Sequence, residues 1–253
     1  MSTPVLETAA PAAPPEAPPR PAPLASRIAD TLFTPTRVFE QFREGPAPWL
    51  GPVLVCVAAA VVLTAIRPLF ISDRQMAEFA LARMAEMGQQ NLPSADEMAG
   101  RMGIQNVLGT LFVSAWLFLR VFVFGALLAM IYGLLMGGKT ALRPYVAVAS
   151  HACLVSTLGF VVLAALQYAS GRLDLVLDAT VLMGPEPGAV LSAIGHVLNP
   201  FTLWLIALLA VGGAVVNRRR GWLGAAAILF ALQLAMFTLF ALGGELLKAR
   251  AAG

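Results

Sequence analysis

Charged side chains are scarce in this sequence. Asp, Glu, Lys and Arg make up 12% of its 253 residues and 58% are hydrophobic, whereas soluble domains carry roughly 25% charged and 45–50% apolar residues. This composition argues against a single water-soluble core. The formal net charge of +3 is dispersed and forms no basic stripe interleaved with aromatic residues, so we expect no nucleic-acid partner.

Metal ligands and catalytic motifs are equally few. Cys56 and Cys153 lie in apolar runs, where a thiol behaves as a small hydrophobe. His151 and His196 belong to no ligand spacing such as H-E-x-x-H, and the chain has no G-x-S-x-G nucleophile elbow. We therefore expect no metal, no cofactor and no enzymatic activity.

The N-terminal segment has no apolar core of a signal peptide. Residues 1–23 hold eight prolines among alanines, a composition typical of a disordered tail. We expect this tail to remain in the cytoplasm, where the chain is made.

Long apolar runs, by contrast, are abundant. A helix needs about 20 apolar residues to cross about 30 Å of hydrocarbon, and five segments meet this requirement. They predict an all-α, polytopic bundle over 49–247, followed by a short external tail at 248–253. The fourth span is the shortest and could recruit residues 194–198. The expected spans lie near residues 49–71, 107–136, 145–168, 200–216 and 222–247.

Basic residues in two short connections predict the orientation, because Lys and Arg resist translocation. The connections at 137–144 and 217–221 contain no acidic residue, and they share a side because two spans separate them. The longer connections at 72–106 and 170–195 are acidic. We therefore predict a cytoplasmic N-terminus and an external C-terminus. The basic residues concerned are Lys139, Arg143, Arg218, Arg219 and Arg220.

The balance of basic residues also bears on the location. The chain has 15 Arg and two Lys, with abundant Ala, which points to a GC-rich bacterial genome. The expected location is therefore the bacterial cytoplasmic membrane.

Amphipathic segments flank the first span. Apolar residues recur at helical spacing in 24–48, where Thr34 is a predicted N-cap and Pro35 opens a second short helix. These helices either lie in the cytoplasmic headgroups or pack on the ends of the bundle. Further along, the Ser94–Glu97 spacing predicts a capping box that opens a helix running into the second span.

One segment matches a nucleotide-binding motif. Residues 133–140 read GLLMGGKT, the Walker A spacing G-x-x-x-x-G-K-[ST]. A phosphate loop follows a strand and opens a helix, whereas this segment ends an apolar helix. We interpret Gly133 and Gly137 as close-packing positions, Gly137 and Gly138 as the helix end, and Lys139 as a neighbour of lipid phosphates. Nucleotide binding is not expected.

Arg120 is the one charge near the middle of a predicted span. A charge there costs at least about 2.5–3.5 kcal/mol on insertion scales, so it needs a partner or a function. Bonds to Gln233, Ser114 or backbone carbonyls, a lipid or substrate contact in a polar cavity, and snorkelling remain open. His151 and Gln233 are the other intramembrane polar candidates, and either packing or a proton relay would suit His151.

Three stretches of the chain resemble one family. They read LFTPTRVFEQF at 32–42, GGKTALRPYVAVASHA at 137–152 and NPFTLWLIALLAVGGAVV at 199–216. In order and topology they are similar to segments of the Yip-type domain of Ypt-interacting membrane proteins, in its bacterial form, over about 24–247. The resemblance implies a membrane protein with a cytoplasmic N-terminus and, in eukaryotic members, a role in vesicle traffic through Rab-type GTPases. The eukaryotic D-L-Y-G-P signature is absent here, so the GTPase-binding role does not carry over.

The sequence therefore predicts a non-enzymatic, Yip-like integral membrane protein that organises partner membrane proteins or lipids. The alternative is a transporter or channel subunit in which Arg120 lines a polar cavity. Against that alternative, the chain has no evident inverted repeat or matched pair of broken helices.

Overall fold

The computed structural model describes residues 22–86, 88–89, 91–138, 141–183, 188–219 and 221–252. This part of the chain is all helical and contains no strand, which confirms the predicted fold class. The helices are α1 Leu24–Phe33, α2 Pro35–Glu44, α3 Leu50–Ile66, α4 Asp73–Glu86, α5 Ala95–Ala129, α6 Leu142–Ser170, α7 Ala189–Val197, α8 Pro200–Val216 and α9 Leu223–Ala252. Short 3₁₀ turns occupy Arg67–Leu69 and Ala179–Leu182, and a π-helical turn, Met130–Leu135, prolongs α5.

Four helical segments are long and apolar enough to cross a membrane, and a fifth is broken. The four are Leu50–Leu69, Ala95–Leu135, Leu142–Ser170 and Leu223–Leu246. The fifth consists of α7 and α8, which are bent by 65° at a short break. The protein is therefore a multi-pass membrane protein.

The break between α7 and α8 follows from two adjacent residues. Pro200 has no backbone N–H to continue the preceding helix and favours the first position of a new one. Asn199 caps that new helix, since its side-chain oxygen accepts a hydrogen bond from the N–H of Phe201 at 2.9 Å and a longer one from that of Thr202. Residues 194–197, which could have extended the fourth span, belong to α7 and turn away from α8.

The helix α6 forms the centre of the packed core, with α3, α5 and α8 around it. In the most apolar 18-residue stretch of α6, 61% of the residues are buried, whereas the buried share of the corresponding stretch is 22% in α3 and in α5 and 11% in α9. Close approach is possible because glycines face it: a Cβ added to Gly125 of α5 would lie 2.7 Å from a Val146 methyl and 3.0 Å from the Val146 backbone. Small residues of this kind drive helix packing in membranes, where burial from water does not contribute.

The N-terminal helices pack on one end of this core. Val38, Phe39 and Phe42 of α2 are fully buried, and α2 contacts α6 and α8. Whether the outer faces of these helices also touch headgroups stays a prediction. Most of the predicted disordered tail, 1–21, lies outside the described residues.

At the other end of α3, α4 folds back on the start of α5. Ala77 of α4 packs with Met98 and Met102. The predicted capping box is confirmed: the Glu97 N–H donates to the Ser94 hydroxyl at 3.3 Å, and the Ser94 N–H donates to the Glu97 carboxylate at 3.0 Å.

The contact between α5 and α6 predicts a sharp difference between two glycines of α5. Gly125→Ala places a methyl group against the Val146 backbone, which cannot move aside, so we expect a loss of about 1–3 kcal/mol of unfolding free energy. Gly103→Ala adds its methyl in open space and should gain up to about 1 kcal/mol from helix propensity. Reversible unfolding in bicelles measures both, and equal effects of the two substitutions would contradict the packing described here.

Candidate functional site

The Arg120 side chain reaches from α5 to α6 near the middle of the bundle. One Nη2 hydrogen is donated to the Ser156 hydroxyl at 3.2 Å, and the guanidinium carbon lies 5.1 Å from the centre of the Phe124 ring, within the range of a cation–π contact. The sequence did not single out Ser156, although it stands at matching depth in the third span. Ser114 donates instead to the Thr110 carbonyl at 2.7 Å.

Arg120 faces a partly open crevice of about 140 Å³. Asn199 and Thr202, at the start of α8, contribute polar atoms to it, while Gly159 of α6 sits so close to Phe201 that a Cβ would lie 2.7 Å from the ring. The crevice therefore owes its position to the α7–α8 break. The remaining lining is apolar: Phe160, Leu163 and Leu177.

The charge of Arg120 is not balanced within the described part of the chain. A guanidinium has five N–H donors, and only the bond to Ser156 uses one of them. No carboxylate there forms an ion pair with Arg120. The crevice can thus accept an anionic or hydrogen-bond-accepting group.

Gln233, the other intramembrane candidate, is half-buried on α9. In the described part of the chain no hydrogen bond joins it to Arg120. The structure therefore does not bring these two predicted residues together.

His151 is fully buried on α6 and joins that helix to the N-terminal helices. Its Nδ1 lies 2.8 Å from the Ala147 carbonyl, which can only accept, so Nδ1 carries the proton. Nε2 is then an acceptor and faces Nη1 of Arg27 at 3.5 Å. The Phe42 ring lies 4.8 Å from the imidazole.

Arg27 itself is 93% buried, at 7% exposure. Its Nε donates to the Ala22 carbonyl at 3.1 Å and its Nη1 to the Pro48 carbonyl at 3.3 Å. Burial lowers the pKa of Arg27, yet a guanidinium stays protonated in proteins. The sequence pattern gave no sign of this residue, because its partners come from three separate segments.

Neither His151 nor His196 belongs to a cluster of metal ligands within the described ranges, where no group of three His, Cys, Asp or Glu side chains could hold a metal ion. His196 instead pairs with a carboxylate: its Nδ1 lies 2.9 Å from Asp178. Burial raises the pKa of Asp178, but hydrogen bonds from Thr180 and His196 outweigh it and hold that pKa below its usual value.

The Walker A-like segment has no phosphate-loop geometry in its described part. The segment begins inside the π-helical turn Met130–Leu135, whereas a phosphate loop follows a strand. Gly133 is buried in that turn, Gly137 adopts a left-handed φ of 66°, and the Gly138 N–H donates to the Tyr132 carbonyl at 2.8 Å. Lys139 lies outside the described residues.

The two basic turns meet at one end of the bundle. Arg219 donates to the Met136 carbonyl at 2.6 Å, and Asn217 donates to the Tyr145 hydroxyl. Arg143 is exposed beside them and Arg218 adopts a left-handed φ of 56°, while Arg220 lies outside the described residues. The contact of α2 with His151 puts the N-terminal helices at this same end.

The link between Arg27 and His151 predicts a coupled loss of stability. His151→Phe removes an acceptor from a buried cation, so we expect a loss of about 1–3 kcal/mol of unfolding free energy. The double variant Arg27→Leu with His151→Phe removes both partners and should lose less than the sum of the single variants. Unfolding of all four proteins in bicelles measures this coupling, and strictly additive losses would show that the two side chains do not interact.

Comparisons with known proteins identify the family. The family model described as the Yip1 domain matches residues 29–243, which is most of the chain and includes the Arg120 crevice and His151, whereas Arg27 lies just before the matched range. A search of curated proteins and a search of solved structures found no match. The chain therefore belongs to the Yip1 domain family of membrane proteins.

Proposed function

We propose that this Yip-family protein is a non-enzymatic organiser of partner membrane proteins or lipids. The observation that carries the proposal is the unequal burial of its spans. Of the four unbroken spans in the described part of the chain, only α6 is mostly buried, whereas the most apolar stretches of α3, α5 and α9 are 11–22% buried. An apolar surface of this extent, spread over three spans, offers contact to lipids and to the helices of other membrane proteins.

The span α9 has the smallest buried share of these three, 11%. It packs chiefly on α7 and α8 and leaves large side chains exposed along its length, among them Leu239 and Phe240, each 71% exposed. In water such a surface would aggregate, so within a membrane it must be covered by acyl chains or by protein.

The alternative, a transporter or channel subunit, draws support only from the Arg120 crevice. The crevice is small, about 140 Å³, and two of its lining residues, Gly159 and Phe201, are in close contact. Residues 145–155 of α6, at the centre of the bundle, are all buried. The packing of the described residues therefore favours the organiser over a transport path.

Crosslinking from two leucines of α9 tests the proposed function. A photoreactive amino acid at position 239 lies on the exposed surface, while the same amino acid at position 229 replaces Leu229, which is 4% exposed. In native membranes we expect position 239 to capture a reproducible set of proteins or lipids and position 229 to give only intramolecular products. Mass spectrometry identifies the adducts.

Two outcomes of this experiment differ in meaning. Enrichment of particular partners or lipids over their abundance in the membrane supports the organiser. Capture from position 239 in simple proportion to membrane composition would overturn it.

We further propose that the end carrying the basic turns and the N-terminal helices faces the cytoplasm of a bacterial cell. Short connections rich in Lys and Arg stay on that side, and both basic turns and α2 share one end of the bundle. The C-terminus, one span further, is then external.

Two exposed glycines form a matched pair for testing the orientation. Gly188 and Gly221 both have open space where a Cβ would be added, and the native Cys56 and Cys153 are buried. A membrane-impermeant maleimide should label Gly188→Cys in intact cells and Gly221→Cys only after permeabilisation. Labelling in the opposite order would reverse the proposed topology.

A further inference from the structure

A second arginine, Arg67, is buried at the end of the bundle opposite to the basic turns. It follows α3 in a 3₁₀ turn and is 7% exposed. Nη1 donates to Asn106 Oδ1 and Nη2 to Asp73 Oδ1, both at 2.7 Å. These bonds use two of the five guanidinium N–H groups, and the buried Nε has no partner in the described part of the chain. The guanidinium therefore retains donors for a further acceptor.

Arg67 lines a cavity of about 230 Å³ between α3, α5 and the end of α6. The helices α3 and α5 run in opposite directions here, so residue numbers rise along α3 and fall along α5 toward the same end. Polar residues lie at that end: Thr64, Arg67, Gln105, Asn106, Thr110 and Tyr168. Ala60, Leu63 and Val113 line the deeper part. The lining thus changes from polar to apolar with depth, as a phospholipid does.

The direction of each hydrogen bond shows which groups lining the cavity can donate to a ligand and which can accept from it. Because an arginine only donates, Asn106 must turn its Oδ1 toward Arg67, which leaves its NH₂ group as a donor. The hydroxyls of Thr64, Thr110 and Tyr168 give their protons to backbone carbonyls at 2.8–2.9 Å. Their oxygens can then only accept from a ligand. The cavity combines donors around Arg67 with a group of acceptors.

We infer that this cavity binds the headgroup of a zwitterionic phospholipid that carries a primary ammonium, of the phosphatidylethanolamine class. The phosphate fits the donors of Arg67 and Asn106, and the ammonium fits the hydroxyl acceptors. Charge favours this class because Asp73 already balances Arg67, so an anionic lipid would leave a net negative charge at the site. The acyl chains lie along the apolar part beside Val113. The inference goes beyond the proposed function, since it concerns a site apart from the Arg120 crevice.

Binding of defined lipids to the delipidated full-length protein tests the inference. The probes are phosphatidylethanolamine, phosphatidylcholine and phosphatidylglycerol with identical acyl chains, together with diacylglycerol and soluble glycerophosphoethanolamine. Native mass spectrometry measures each affinity. Phosphatidylcholine has no ammonium N–H groups and cannot form these hydrogen bonds, so phosphatidylethanolamine should bind about tenfold more tightly than phosphatidylcholine. Diacylglycerol, which has no headgroup phosphate or ammonium, should not bind at this site.

A matched pair of variants on α5 assigns the binding to this cavity. Gly109 lines the cavity and Gly103 does not, yet both have open space where a Cβ would be added. We expect Gly109→Leu to abolish the tenfold preference and Gly103→Leu to retain it, with neither variant unfolding below the wild-type temperature. Arg67→Lys, which keeps the charge but loses the fork of donors, should weaken phosphatidylethanolamine binding without removing the Asp73 pair.

Several outcomes would overturn the inference. Equal binding of phosphatidylethanolamine and phosphatidylcholine would show that the hydroxyl oxygens do not bind the ammonium. Binding of phosphatidylglycerol that is stronger than that of phosphatidylethanolamine would contradict the expected preference for a lipid without net charge. Binding of glycerophosphoethanolamine as tight as that of the lipid would show that the ligand is a soluble phosphodiester. Retention of the preference in Gly109→Leu would place the binding elsewhere. None of these results bears on partner capture from α9, so failure here and failure of the proposed function are distinguishable.

Discussion

The close packing of α6 against α5 and α8 is the constraint on which the other sites depend. Lipid tails are as apolar as the helices, so association in a membrane relies on contact between well-fitted surfaces and on a few polar bonds. The Gly125–Val146 contact supplies the fit. The polar bonds are supplied where arginines meet α6: Arg27 at His151 and Arg120 at Ser156. Tyr168, further along the same helix, lines the Arg67 cavity.

These arginines differ in how their charge is balanced. Arg67 has a carboxylate partner at 2.7 Å, which suits a position at the end of a span. Arg27 is surrounded by neutral acceptors, two carbonyls and an imidazole, close to the N-terminal helices. Arg120 lies deepest, and among the described residues its only partners are a hydroxyl and an aromatic face. The least compensated charge is thus in the most apolar layer, which makes Arg120 the position where a ligand would change the local energy most.

Local patterns predicted the local features of this protein. Hydropathy located the spans, and the Ser94–Glu97 spacing identified a capping box that the structure contains, because both features depend on neighbours in the sequence. The start of α5 at Ala95 shows the limit of hydropathy: its first turns are polar, and the helix extends well before the predicted span at 107. Asn199 and Pro200 set the start of α8 through local capping, but the 65° bend to α7 depends on tertiary packing.

The partners of the arginines could not be read from the sequence. Ser156 is 36 residues from Arg120, Asn106 is 39 from Arg67, and His151 is 124 from Arg27. Any span offers several serines, asparagines or carbonyls at a given depth, and helix rotation decides among them. Ser114 was a reasonable expectation for Arg120, yet its hydroxyl is used by the preceding turn of its own helix, a competition typical of serine in a helix interior.

The break before Pro200 also determines the depth in the bilayer at which α8 begins. The helix α8 has 17 residues. At about 1.5 Å per residue it is about 25 Å long, which is shorter than the thickness of the hydrocarbon layer, roughly 30 Å. With its basic C-terminal end at one surface, α8 therefore starts below the other. The start of a helix carries roughly half a positive charge from its aligned peptide dipoles. Because Asn199 and Thr202 line the same crevice as Arg120, this partial charge and the guanidinium act together, and the positive potential in the crevice exceeds that of one arginine alone.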